Sequence, residues 1–138
     1  MMTEAATFAA TIILMLIAAI HFYWAMGGSA GKAGAIPTIG ATPIFAPTRH
    51  AAAAVGGASF LMAALVAATG GAAAPSAPAL PIASALLALA FAARAVGDFR
   101  YVGFFKQVTG GAFTRRDSYL HSPLRLLIAT LIGVVAIR

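Results

Sequence analysis

Five side chains have types and positions that could do chemistry together: His21, Arg49, Arg94, Asp98 and Arg125. Each lies at or near the edge of a long apolar run, where an ionisable group is costly and is normally paired. Arg94 and Asp98 are four residues apart, the spacing that puts two side chains on one helix face. Arg49 and Arg125 fall where helices are expected to begin, although a helix N-terminus is already partly positive and prefers acids. Asp98 is one carboxylate among Arg49, Arg94, Arg100 and Arg125, so a bound phosphate or carboxylate would complete the charge balance. The chemistry implied is an anion clamp, in which Arg94 and Arg125 hold the anion, Asp98 fixes their rotamers, and His21 senses or donates a proton. Tyr23, Trp24, His50, Arg100 and His121 are secondary candidates at the same end of the molecule.

Each of these residues also has a plainer reading. Arginine at the cytoplasmic ends of membrane helices follows from topology alone, and an Arg94–Asp98 or Asp98–Arg125 pair could be purely structural. A lone histidine such as His21 at a helix end is more often a hydrogen-bonded interfacial residue than a base or ligand. Tyr23 and Trp24 fit an aromatic belt, and Phe99, Tyr101, Phe104 and Phe105 beside Lys106 fit a segment lying along the interface. Gly27, Gly28 and Gly31 follow a helix, whereas nucleotide-binding glycine loops follow a strand.

The elements that must position these residues are set by composition. Of 138 residues, 62% are hydrophobic and 9% charged, with a mean hydropathy of +0.95, which points to lipid as the main solvent. The apolar residues form unbroken runs, too continuous for barrel strands, so helices must satisfy the backbone. The expected fold is all-α, an integral membrane four-helix bundle in a single domain, 1–138. Its helices span about 4–26, 48–69, 79–98 with an interfacial extension to about 107, and 122–137. Glu4 before the first run is an acid where a secretory signal needs a basic segment, so that run is expected to remain as a helix. Glycines and prolines make 27–47 a loop, and Pro75, Pro78 and Pro81 make an uncharged turn after Gly70-Gly71. Ser122-Pro123 has the form of an N-cap followed by proline at the first helical position. The helix that follows is short, which calls for bilayer thinning or snorkelling by Arg125 and Arg138. Alanines and glycines on every face of the second helix imply close packing, with any pocket near one end.

The loops bearing Lys32, Arg49, Arg100, Lys106, Arg115 and Arg116 are expected in the cytoplasm, with both termini outside. The net charge of +6 then suits anionic lipid rather than nucleic acid. Expected partners are membrane lipids, a small anionic ligand, and a second copy or another membrane protein. The absence of cysteine excludes disulfides and thiolate chemistry in this chain. No metal site and no cofactor are expected; haem held by two histidines is an alternative. Three function classes follow: a binding or accessory protein, an enzyme or redox protein using His21 as base with Asp98 orienting it, and a small transporter. Against transport, only serine and threonine provide polarity in the outer half of the bundle.

Over nearly its full length the chain resembles a family of small bacterial membrane proteins, domain-of-unknown-function family 3995. The resemblance rests on His21-Phe22-Tyr23-Trp24-Ala25 with Gly27-Gly28, on Ala35-Ile36-Pro37, on the run from Arg94 through Gly97-Asp98 to Gly103 and Lys106, and on Ser122-Pro123. It implies a four-helix protein of the inner membrane and assigns no activity. Where relatives are expected to carry Tyr before Ser-Pro, this chain has His121, which ranks His21 above it as a functional histidine.

Overall fold

The computed structural model describes residues 1–39, 41–71, 77–109 and 112–137, with Ala112 as backbone only. Four helical segments are long and apolar enough to cross a membrane. The first three are α1 (Met2–Ala25), α2 (Arg49–Gly70) and α3 (Ala79–Val96). The fourth joins α4 (Ala112–Arg116), a wide π-helical turn (Asp117–His121) and α5 (Ser122–Ala136). At 1.5 Å per residue, each of the four approaches or exceeds the roughly 20 residues that a hydrocarbon core of about 30 Å requires. The protein is an all-α, multi-pass membrane bundle.

Its packing is that of a lipid-solvated molecule. Phe8, Leu16, Phe60, Leu61, Leu86 and Leu89 face outward, while the core is largely small: Ala6, Ala10 and Leu14 of α1, Ala63 and Val66 of α2, Ala88 of α3, and Ile128, Ile132 and Val135 of α5. Large apolar side chains gain nothing by leaving lipid, whereas alanines let helix backbones approach closely. α1 packs chiefly on α2 and α3 chiefly on α5, and α1 against α5 joins the two pairs. One buried polar contact ties α2 to α3: the Thr69 hydroxyl donates to Leu65 O (2.8 Å) and accepts from Ser84 Oγ (2.8 Å).

The loop expected over 27–47 holds a 3-10 turn, Lys32–Ala35, and a hairpin of two-residue strands, β1 (Thr38–Ile39) and β2 (Thr42–Pro43). The end of α1 fastens it. The Trp24 indole donates to Ala30 O at 2.8 Å, and the Tyr23 ring occupies the space that a β-carbon on Gly28 would need.

The fourth span departs from the expectation of a short helix starting at Ser122. Helix begins ten residues earlier, and Ser122 is a buried residue within it, with φ −70° and ψ −44°. Proline lacks an N–H and its ring crowds the carbonyl four residues back, which normally ends a helix. Here the turn before Pro123 is widened, with the Ser122 N–H donating to Asp117 O five residues back, and this wider turn accommodates the ring. The helical segment Phe113–Ala136 thus has 24 residues. Arg138 and Pro75 lie outside the described residues.

Hollows are not confined to one end. A shallow apolar groove of about 430 Å³ runs along the flank of α3 and α5, between Ala85, Ala88 and Ala92 on one side and Ala129 and Gly133 on the other.

The packing makes opposite demands at two sites. Leu14 is fully buried in the core, so Leu14→Ala is expected to cost about 2–4 kcal/mol. A β-carbon on Gly57 meets nothing within 4 Å, so Gly57→Ala is expected to gain about 0.5–1 kcal/mol from helix propensity. Unfolding of both variants in one detergent checks this pair.

Candidate functional site

The basic ends of the helices are organised by two aspartates with different roles. Asp98 follows α3, which stops because Gly97 adopts φ +95°. Its Oδ1 accepts from the backbone N–H groups of Arg100 (2.9 Å), Tyr101 (2.7 Å) and Val102 (3.0 Å). The Asp98 N–H donates to Val102 O at 3.1 Å, and the Phe104 N–H donates to Ala95 O at 3.0 Å. The segment thereby folds back onto the end of α3. This return requires glycine twice: a β-carbon on Gly97 would collide with the Val102 carbonyl, and one on Gly103 (φ +97°) with the Val96 carbonyl. The amide of Val102, then those of Tyr101 and Arg100 and the charge of Arg94, hold the Asp98 carboxyl below the usual carboxylate range against a partial loss of hydration.

Asp117 is the deeper of the two, with no exposed surface. Its Oδ2 accepts from the Gly103 N–H (2.8 Å), Lys106 Nζ (3.0 Å) and Ser122 Oγ (3.3 Å), and its Oδ1 accepts from Arg125 Nη1 (3.0 Å). The Lys106 side chain is 3% exposed and spends all three ammonium donors, the other two on Gly103 O (2.8 Å) and Ser118 Oγ (2.7 Å). Buried charges are tolerable when paired and fully hydrogen-bonded in this way.

The structure therefore corrects three expectations. The carboxylate that pairs with Arg125 is Asp117, not Asp98. Because the helix continues through 113–121, Asp117 lies two turns before Arg125, and helical side chains lean toward the N-terminus. Asp98 lies beyond the end of α3, so it and Arg94 do not share a helix face, and among the described residues no ion pair joins Asp98 to an arginine. Lys106, expected beside the interfacial aromatics, is instead enclosed.

Of the candidate residues, Arg94, Asp98 and Arg125 come together. They line one cleft of about 270 Å³ with Tyr101, Val102 and Phe113, and with Pro37, Ile44 and Phe45 from the first loop. Among the described residues the Arg94 side chain has no hydrogen-bond partner. Arg100 is exposed beside the cleft, its guanidinium 5.0 Å from the centre of the Tyr101 ring. The others are placed elsewhere. The His21 ring donates through Nδ1 to Ile17 O (2.8 Å) and stands edge-on to Trp24 at 4.9 Å. Arg49 is the first residue of α2, after the Thr48 cap, and its guanidinium lies over Gly27. His50 is exposed beside it. His121 stacks obliquely on Phe113, with Nδ1 4.0 Å from Asp117 Oδ1. Among the described residues no group of three or more histidine and acidic side chains could hold a metal ion.

Sequence reasoning missed Asp117. A signal was present: Asp117, His121 and Arg125 recur every four residues, the spacing of one helix face, but reading Ser122-Pro123 as a helix start broke that face in two.

These features define the class: a small four-helix membrane-spanning protein whose basic end holds a cleft between α3 and the fourth helix. Residues 14–132 match the family described as "Protein of unknown function (DUF3995)", and the chain belongs to it. No curated protein and no solved structure matches the chain.

The position of the Asp98 carboxyl gives a pH dependence. A group whose folded pKa is depressed contributes stability that is present above its unfolded value, about 3.9, and is lost as pH falls through the lower folded value. Unfolding followed from pH 6 downward is expected to show a steeper acid loss in the wild type than in Asp98→Asn, with the two curves converging at the acid end. Parallel curves would contradict this role.

Proposed function

We propose that this is a binding protein of the bacterial inner membrane that holds an anionic group, phosphate or carboxylate, in the cleft lined by Arg94, Tyr101 and Arg125. The observation that carries the reading is the charge balance at that cleft. Asp98 Oδ1 accepts from three backbone amides, and Asp117 is paired with Lys106 and Arg125. Arg94 opens onto the same space; among the described residues it has no hydrogen-bond or ion-pair partner, and its charge acts on Asp98 only at longer range. The cleft is thus lined by two guanidiniums, Arg94 and Arg125, against one carboxylate, Asp98, and a guanidinium matches the geometry of a phosphate or carboxylate. The Asp117 contact fixes Arg125 through one nitrogen and leaves its other donors for a ligand.

His21 and Arg49 lie away from the cleft and have structural roles in this reading. The cleft faces the cytoplasm and both termini lie outside, as supported by the lysines and arginines in the loops at this end.

Native mass spectrometry of the gently purified full chain tests the reading, with Arg94→Gln as the variant because Arg125 also carries the Asp117 contact. An anionic mass retained by the wild type and lost from Arg94→Gln is the expected result. A bare mass for both proteins would refute it.

A further inference from the structure

We propose that the anion is the headgroup of a membrane phospholipid, entering the cleft sideways from the leaflet; this rests on the anion-binding reading above and names its ligand. The argument comes from what surrounds the cleft. Arg94 lies two residues before the end of α3 at Val96, so its guanidinium sits where a transmembrane segment meets the headgroup layer, and Arg125, thirteen residues into Phe113–Ala136, lines the same cleft. The rim is apolar and outward-facing. Ile44 and Phe45, which line the cleft, are 40% and 53% exposed, and Phe99, next to the lining residue Asp98, is 58% exposed.

Phe99 has φ +60°, a conformation that a bulky L residue rarely adopts, and its ring lies 6.4 Å from that of the equally exposed Phe105. Phe104 is exposed as well. These rings cannot easily turn inward, because Asp98, the paired glycines and the contact between Gly103 and Asp117 fix the loop behind them. Of the two cations in this loop, Lys106 is buried and Arg100 is exposed with its guanidinium against the Tyr101 ring.

A surface with aromatic rings outside and arginines just behind suits an amphiphile, whose phosphate meets the guanidiniums while its first apolar carbons meet the rim. A free inorganic anion would use the arginines and leave the rings uncovered. The cleft, at about 270 Å³, has the capacity of a headgroup, so the acyl chains would remain in the leaflet.

The test uses the full chain in phosphatidylcholine nanodiscs doped with phosphatidylglycerol, with retained lipid read by native mass spectrometry, and calorimetry with inorganic phosphate in detergent. Phosphatidylglycerol retention is expected to fall about tenfold in Arg94→Gln, the loss of one charge-assisted contact. It should be unchanged in Arg115→Gln, which removes an exposed charge at the same end, and excess inorganic phosphate should not displace the lipid. Arg94→Lys, with the charge but not the forked geometry, should fall between; it also serves if the glutamine variant does not fold. Arg94-dependent binding of inorganic phosphate without phosphatidylglycerol enrichment would overturn the lipid assignment and leave the anion-binding reading standing. Equal losses in Arg94→Gln and Arg115→Gln would overturn it as well, by reducing retention to general attraction. Failure of both probes to bind in an Arg94-dependent way would overturn both readings.

Discussion

The buried carboxylate of Asp117 is the interaction on which the basic end of this protein depends. It is reached from two directions along the chain: Gly103 and Lys106 come from the segment after α3, while Ser122 and Arg125 come from the fourth span itself. A single side chain therefore fixes the return loop to the helix that lines the other wall of the cleft. In a low-dielectric setting such a contact is one-sided in its energetics. The complete cluster approximately offsets its desolvation, whereas losing one partner leaves an unpaired charge at a cost of about 3–5 kcal/mol. The cluster thus contributes mainly by fixing geometry, above all the direction of the Arg125 guanidinium.

Other features of this end follow from that anchor. Bringing the Gly103 amide to Asp117 requires the chain to turn back tightly on α3, which demands Gly97 and Gly103 at positive φ and places Asp98 where three amides converge. Placing Asp117 below Ser122 and Arg125 requires the helix to pass Pro123, hence the widened turn. The run Gly97-Asp98 through Gly103 and Lys106, with Asp117 and Ser122-Pro123, is one folded unit distributed over two segments.

The sequence carried the architecture clearly, because lipid solvation writes itself as unbroken apolar runs: the three helices ending near Ala25, Gly70 and Val96 and the clustering of cations at one end follow from hydropathy alone. The site was legible in part. Arg94, Asp98 and Arg125 do share a cleft, but the pairing among them was not legible, since it depends on helix continuing through 113–121. A local rule, serine before proline as a helix start, competed there with a tertiary constraint, and the buried aspartate decided the outcome. Lys106 shows the same limit. A lysine among phenylalanines has the pattern of an interfacial snorkel, and only the position of Asp117 turns it inward. His21 had the type of a catalytic residue, but its ring is committed to Ile17 and Trp24, contacts within its own helix that no spacing rule distinguishes from function.

Hydrogen exchange of the backbone amides in Asp117→Asn, compared with the wild type in the same detergent, tests the anchoring role most directly. If Asp117 holds the return loop, amides across 97–108 lose protection while those of α1 and α2 keep theirs. Wild-type protection across 97–108 in the variant would contradict the account and would leave Asp98 and the two glycines as sufficient to fold the loop.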